Sequence, residues 1–231
     1  MMGAIKVIRG IALPTSDTHM AGWLASSPAV EGKGTYQYRK FQAAMGRVKT
    51  FRGALDIGAH VGTWSRLLAM RFEEVHAFEP VPLHVECWKQ NLDGVSNARI
   101  HPLALGSETG RCGWHTLPHN TGETWLIPGE AAIVAPLDRV LPEIAPHLPI
   151  SFIKVDCEGY EPLVLQGAEA TIVKWYPTII VEQDPRYAVR FSLREEQAIV
   201  WLRSLGYQVQ QQLTCDFILT HPRTGELDDQ S

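Results

Sequence analysis

From residue 54 onward, two kinds of hydrophobic pattern take turns along the chain. Short apolar runs predict strands at Ala54–Ile57, Glu74–Phe78, Ala98–Leu105, Phe152–Val155 and Thr178–Val181. Between them, apolar residues recur at three- and four-residue spacing and predict helices over Thr63–Phe72, Leu83–Leu92, Pro162–Val173 and Leu193–Leu205, with a short one over Leu137–Leu141. Gly206 is a fitting stop for the last helix. Strands alternating with helices imply a parallel sheet covered on both faces. The pattern then changes: Tyr207–Gln211 and Asp216–Thr220 are two strands a few residues apart, which predicts a closing hairpin. Ahead of the alternation, positions 38, 41, 45 and 48 keep a helical spacing. Residues 106–135 are rich in Gly, Pro, Thr and Trp and predict hairpins or a loop.

Composition sets the limits around this pattern. With 231 residues and 45% hydrophobic content, the chain can bury one large core. Its expected organisation is an extension over 1–50, serving as lid or acceptor-binding segment, a main domain over 51–222 and a polar tail over 223–231. The net charge of −4 gives no global attraction to nucleic acid or an anionic membrane. Locally, Lys33, Arg39, Lys40, Arg47, Lys49 and Arg52 form a stretch without an acid, a solvated face or a rim for an anionic substrate. No apolar run approaches the roughly 18 residues of a membrane helix. The N-terminus shows no hydrophobic core of a secretory signal. Cys87, Cys112, Cys157 and Cys215 are scattered, which fits thiols in a reducing cytoplasm.

Three motifs carry the chemistry. In LDIGAHVGTWS, Asp56 ends the first strand, and Gly58 and Gly62 open a turn where backbone can approach a ligand and helix amides are exposed. A dinucleotide fingerprint needs Gly at the position of His60, so the match to NAD fails there. An acid followed by glycines two and six residues on suits S-adenosylmethionine instead. Glu79, in Phe78-Glu79-Pro80, ends the second strand, where a carboxylate can accept from both ribose hydroxyls. In IKVDCEGYEPLVLQGAE, Asp156 lies at the carboxyl end of a strand, with Glu158 and Glu161 following. Glu182 and Asp184 end the next strand, so the sheet order brings both acidic groups to one edge.

LDIGAHVGTWS, HAFEP, LALGSETG and IKVDCEGYEPLVLQGA, followed by PTIIVE, resemble the FkbM family of S-adenosylmethionine-dependent methyltransferases over roughly residues 53–184. The DxEGxE segment is the specific element of the likeness. The resemblance implies an α/β fold of the Rossmann-like class I methyltransferase type, with a mostly parallel seven-stranded sheet ending in an antiparallel hairpin. It implies O-methylation of hydroxyls on sugars or other small molecules. By position, Asp56, Gly58 and Gly62 would serve the methionine end of the donor, and Glu79 with Pro80 the ribose. Leu105 and Gly106 would flank adenine, and Asp156 and Glu158 would sit near the methyl group. One departure stands out: the family commonly has Asn where this chain has His60, whose ring is expected to line the donor pocket.

Methyl transfer from a sulfonium gains most from placing the acceptor oxygen in line with the breaking bond. A sugar hydroxyl also benefits from a nearby base. Asp156 and Glu158 are the first candidates for it and Glu182 the next. Clustered carboxylates can hold a divalent cation, but the sequence alone defines no coordination sphere and no metal is expected. Lys154 is expected to pack or snorkel, and His115 and His119 to lie in a loop. Tyr36 and Tyr38 are candidates for a lid, and Trp114 and Trp125 for stacking on a sugar. The competing readings are an RNA ribose methyltransferase, supported by the basic 33–52 stretch, and a non-catalytic binding module for the same donor.

Overall fold

The computed structural model describes residues 4–194 and 196–226; most of the expected polar tail lies outside the described residues. The chain begins with hairpin β1 (Ile5–Ile8) and β2 (Ile11–Pro14), helix α1 (His19–Ser26), the small hairpin β3 (Ala29–Val30) and β4 (Lys33–Gly34), and helix α2 (Tyr38–Met45). Alternation follows: β5 (Gly53–Ile57), α3 (Thr63–Ala69), β6 (Glu74–Phe78), α4 (Pro82–Asn91) and β7 (Ala98–His101). Next come β8 (Ala104–Leu105) and a long hairpin of β9 (Gly110–Leu117) and β10 (Asn120–Ala135). The remainder is α5 (Leu137–Ile144), β11 (Ile150–Val155), α6 (Glu161–Gln166), α7 (Glu169–Trp175), β12 (Thr178–Glu182), α8 (Pro185–Ala188), a 3-10 turn at Val189–Phe191, α9 (Gln197–Ser204), β13 (Gln208–Leu213) and β14 (Asp216–Thr220).

Seven strands form the central sheet in the order β13-β14-β12-β11-β5-β6-β7. The four pairings from β12 through β11, β5 and β6 to β7 are parallel, and β14 is antiparallel to both β12 and β13. Alternate residues of each strand enter different cores, as a period of two requires. Leu55, Ile57, Ile153, Val155, Ile179 and Val181 join one cluster with α5, α6, α7 and α9. Ala54, Phe152 and Ile180 join the other, with Trp64 and Leu68 of α3 and Phe41 of α2. The 3.6-residue spacing read at 38, 41 and 45 is therefore the buried seam of α2.

The first 50 residues are stitched to the main fold. Asn91 of α4 accepts from Ala12 N at 2.6 Å and donates to Ala12 O and Val61 O. The indole of Trp64 donates to Gln37 at 2.8 Å.

Four local expectations change. The strand expected over Ala98–Leu105 is two: β7 stays in the main sheet, and β8 pairs in parallel with the end of β10 in a separate sheet. The helix expected over Pro162–Val173 is broken into α6 and α7, because Asp138 of α5 caps α7, accepting from Ala170 N, Thr171 N and the Thr171 hydroxyl. Helix α9 starts at Gln197 rather than Leu193. His115 is not a loop residue; it lies in β9 opposite Trp125.

Candidate active site

A parallel sheet carries its chemistry at the carboxyl ends of its strands, beside the point where strand order reverses. Here that point lies between β5 and β11, and a cavity of about 270 Å³ opens there. Two halves can be separated by the strands that supply them.

The first half follows β5 and β6. Gly58 has φ +74°, and a Cβ on it would stand 1.8 Å from the carbonyl oxygen of Asp156; no side chain fits at this crossing. His60 also lies in the left-handed region, at φ +49°. Asn, Asp and His are the residues that tolerate that region best, which gives a physical reason why His can stand where relatives carry Asn. Glu79 is buried and already holds three donors, which leaves its Oε2 an open acceptor position. Its Oε2 accepts from His60 N at 2.9 Å, and its Oε1 accepts from Val81 N at 3.0 Å and lies 3.2 Å from His84 Nδ1.

Gly58, His60, Glu79, Pro80 and Leu105 line the cavity. Asp56, Gly62 and Gly106 do not. Asp56 is fully buried beneath the turn, where it accepts from Ser65 Oγ at 2.5 Å and stands 3.4 Å from Lys154 Nζ. Gly62, at φ +84°, packs against Trp88, whose Cδ1 would be 2.5 Å from an added Cβ. Lys154 is more than a packed stem. Its ammonium donates to Gly58 O at 2.9 Å and lies 3.7 Å from Asp156. Burial pulls its proton affinity down, yet Asp156 and Asp56 outweigh burial and hold it above the usual lysine range. A charged Lys154 thus ties the Gly turn to the acids on β11.

The second half follows β11 and β12. Asp156, Glu158 and Glu182 all line the cavity, and one oxygen of each lies within 4.8 Å of the others. Oxygens grouped in this way could hold a hard divalent cation. Glu158 is at φ +56°, a left-handed conformation that costs a non-glycine residue energy and gathers at functional sites. Its Oε2 and that of Glu182 are buried without a hydrogen-bond partner among the described residues. Burial first, then Asp156, Glu161 and Glu123, push the Glu158 carboxyl up to about 9, with Arg190 opposing. Burial first, then Asp156, Glu158, Glu161 and Asp216, hold Glu182 well above the carboxylate range. Glu161 rises to about 7 by burial, although backbone N–H groups of Cys157 and Gly159 favour its charged form.

Further side chains complete the wall. Tyr36, a lid candidate from the sequence, lines it, and so do residues that sequence reading missed: Gln37 from the N-terminal segment, Thr121 and Glu123 from the tip of the β9–β10 hairpin, and Tyr187 from α8. The Tyr36 hydroxyl is raised by burial and by Asp156, Glu182 and Glu158, so it faces the acids. Arg190 bridges Glu123 at 2.7 Å and Glu158 at 3.6 Å and stacks over Trp125 and Tyr187. None of these had a spacing signal, because each reaches the site through a long-range contact. Tyr38, by contrast, stacks on Phe41 away from the cavity, and Trp125 is occupied by Arg190.

A seven-stranded sheet of this order, with its antiparallel end and its cavity at the switch point, defines a Rossmann-like class I methyltransferase fold. The methyltransferase FkbM domain matches residues 56–209, most of the chain, and the chain belongs to that family. A crystal structure of an FkbM methyltransferase from Methylobacillus flagellatus superposes with a TM-score of 0.50 at 19% identity, over 75% of this chain. This chain spans 44% of that protein's length. A Streptococcus mutans protein solved with S-adenosylhomocysteine superposes at TM-score 0.50 and 10% identity, covering 80% of this chain and 96% of that one. An rRNA methylase from Streptococcus thermophilus gives 0.46 at 12% identity, over 78% and 92% of the two chains. At these identities the two structures at 0.50 speak for the fold alone. No curated protein matches the chain.

Proposed function

We propose that this chain is an S-adenosylmethionine-dependent O-methyltransferase acting on a hydroxyl of a sugar or other small molecule. The observation that carries this reading is the juxtaposition of two halves in one cavity. A well-bonded carboxylate, Glu79, sits on the donor side, and three clustered acids, two of them under-compensated, sit opposite. The site fits a cationic donor: Glu158 and Glu182 each bury an oxygen without a hydrogen bond among the described residues, which a sulfonium's charge would offset. Bound there, S-adenosylmethionine supplies a methyl group on a positively charged sulfur and leaves as S-adenosylhomocysteine.

This chain's own residues then have three tasks. The Gly58–Gly62 turn and Glu79 hold the donor, Glu79 at the ribose. Asp156, Glu158 and Glu182 hold the acceptor hydroxyl and take up the proton it loses as its oxygen gains the methyl group. A carboxyl with raised proton affinity is a stronger base once ionised, which is what a poorly acidic hydroxyl needs. Tyr36 and the Glu123 tip close the wall and limit water.

The basic 33–52 stretch gives RNA little support. Lys33 donates to Asn91 O, Lys40 pairs with Asp216 and Arg52 pairs at the surface with Glu73, so half of its charges are already partnered within the chain. An acidic cavity mouth would also repel phosphates. Four free thiols support a reducing, cytoplasmic setting, and among the described residues no helix is long and apolar enough to cross a membrane.

The test is a radiolabelled-methyl screen with nucleotide sugars, small glycans, hydroxylated small molecules and RNA. Base-stable label on a hydroxyl of a small acceptor is expected. Label on RNA alone, or donor binding with no transfer to any class, would overturn the reading.

A further inference from the structure

One chain of hydrogen bonds links the N-terminal segment to the donor side of the cavity. Asp17 is fully buried. Its Oδ1 accepts from Met20 N at 2.7 Å, and its Oδ2 accepts from Thr121 N at 2.9 Å and from the Thr121 hydroxyl at 2.5 Å. Thr121 Oγ1 in turn lies 2.9 Å from His60 Nε2. A threonine hydroxyl has one proton. Thr121 spends it on Asp17, so toward His60 it can only accept. The proton in the His60–Thr121 bond therefore belongs to Nε2.

We propose that Asp17, acting through Thr121, fixes His60 as its Nε2–H tautomer, and that the Nδ1 lone pair this leaves accepts a hydrogen bond from an N–H or O–H of the bound methyl donor. This rests on the donor-pocket reading given above. Burial, His84 and Lys154 all keep the ring neutral, so one nitrogen must be bare. Among the described residues no group bonds Nδ1, and His60 lines the cavity. The ring is held edge-on to His84 with centroids 4.3 Å apart, and the His60 backbone is bound to Glu79, so its orientation is set from three sides.

Three groups of the donor share the required chemistry: its ammonium, its ribose hydroxyls and the amino group of its adenine. Asp17 and Thr121 are positioning residues, and the device makes the N-terminal segment part of the donor site.

The experiment labels histidine with 15N in the ligand-free protein and assigns His60 by comparison with His60→Asn. The wild type is expected to show a protonated Nε2 and an unprotonated Nδ1. Thr121→Val keeps the backbone bond to Asp17 but removes the hydroxyl; Asp17→Asn lets the side-chain amide donate to Thr121 and frees the hydroxyl proton. Both variants should shift the ring toward Nδ1–H, and Thr121→Ser should restore the wild-type signature. By calorimetry, Thr121→Val and Asp17→Asn should weaken S-adenosylhomocysteine binding about 2- to 10-fold, the worth of one hydrogen bond, with kcat at saturating donor unchanged. Loss of 5′-methylthioadenosine affinity by the same factor assigns the contact to the nucleoside, a ribose hydroxyl or the adenine amino group; a loss confined to S-adenosylhomocysteine assigns it to the ammonium. An Nδ1–H wild type, or variants that flip the tautomer while both affinities stay put, overturns the proposal. Failure of the wild type to bind S-adenosylhomocysteine at all strikes the donor-pocket reading instead, and the ligand-free spectra still decide the tautomer.

Discussion

The two halves of the cavity treat their carboxylates in opposite ways. On the donor side, Glu79 accepts from two backbone N–H groups beside a histidine nitrogen, and Asp56 is met by Ser65 and Lys154. On the acceptor side, Glu182 buries an oxygen with no hydrogen-bond partner among the described residues, and Glu158, on a strained backbone, buries one met only by Arg190 at 3.6 Å. In the first arrangement amides and a lysine face the carboxylates, although Asp56 Oδ1 has only the Lys154 ammonium, 3.4 Å away. The second is costly as it stands, because like charges and burial both disfavour ionisation. The difference separates two jobs. A fixed, satisfied carboxylate recognises a cofactor; an unsatisfied group of carboxylates is poised for a cationic ligand and a proton.

The sharpest way to break this comparison is to remove the poised acids. The double variant Glu158→Gln/Glu182→Gln should lower kcat by about 10²- to 10⁴-fold, the usual worth of a positioned base, while S-adenosylhomocysteine affinity moves by no more than about 3-fold. Isothermal titration beside steady-state kinetics reads both numbers, and an equal fall in both would erase the division of labour. The reverse experiment is Glu79→Ala. It should weaken S-adenosylhomocysteine binding about 10- to 100-fold, or roughly 1–3 kcal/mol, since charge-assisted bonds are lost and three donors are stranded. Unchanged affinity would remove Glu79 from the donor site.

A smaller effect, per pH unit, is expected in the pH profile. The acceptor-side carboxyls must be ionised to take a proton, and Glu158 is held up at about 9. Turnover at saturating donor should therefore climb from about pH 6 by up to about tenfold per pH unit and level off only above about pH 9. Binding of the donor should change far less over that range. A flat profile, or a fall with pH, would mean that none of these acids accepts the proton.

The sequence made the two halves unequally legible. The order of the elements, the Gly turn, Glu79 and the acids of β11 and β12 are local: each sits at a strand end that periodicity reveals, and Asp156, Glu158 and Glu182 do converge as the strand order requires. Tertiary context decided the rest. Asp56 and Lys154 occupy adjacent positions across β5 and β11, which turned an expected ligand contact and an idle lysine into a buried ion pair. The break between α6 and α7 came from Asp138, some thirty residues upstream. Asp17, Thr121, Glu123 and Arg190 were invisible, because an acid or threonine in a turn acquires meaning only when a hairpin tip folds onto it.

The least of the expected effects is thermal, and its sign is the informative part. A carboxyl whose folded-state proton affinity is raised contributes stability below its unfolded value, near 4.5, and loses it as pH rises through the folded value, here about 9 for Glu158. At pH 4 the carboxyl is mostly protonated in the folded and the unfolded chain alike, and Glu158→Gln replaces one neutral group by another. At pH 9 the folded wild type either carries a charge among Asp156, Glu161 and Glu123 or holds a proton that the unfolded chain would release, and the variant does neither. Glu158→Gln should therefore raise the melting temperature at pH 9 by at least roughly 2–4 °C, the equivalent of about 1 kcal/mol for a chain of this size, raise it less at pH 6 and change it little at pH 4. Calorimetry at the three pH values reads this directly. A destabilised variant at pH 9 would make Glu158 a structural anchor like Glu79, and the contrast between the two halves would collapse.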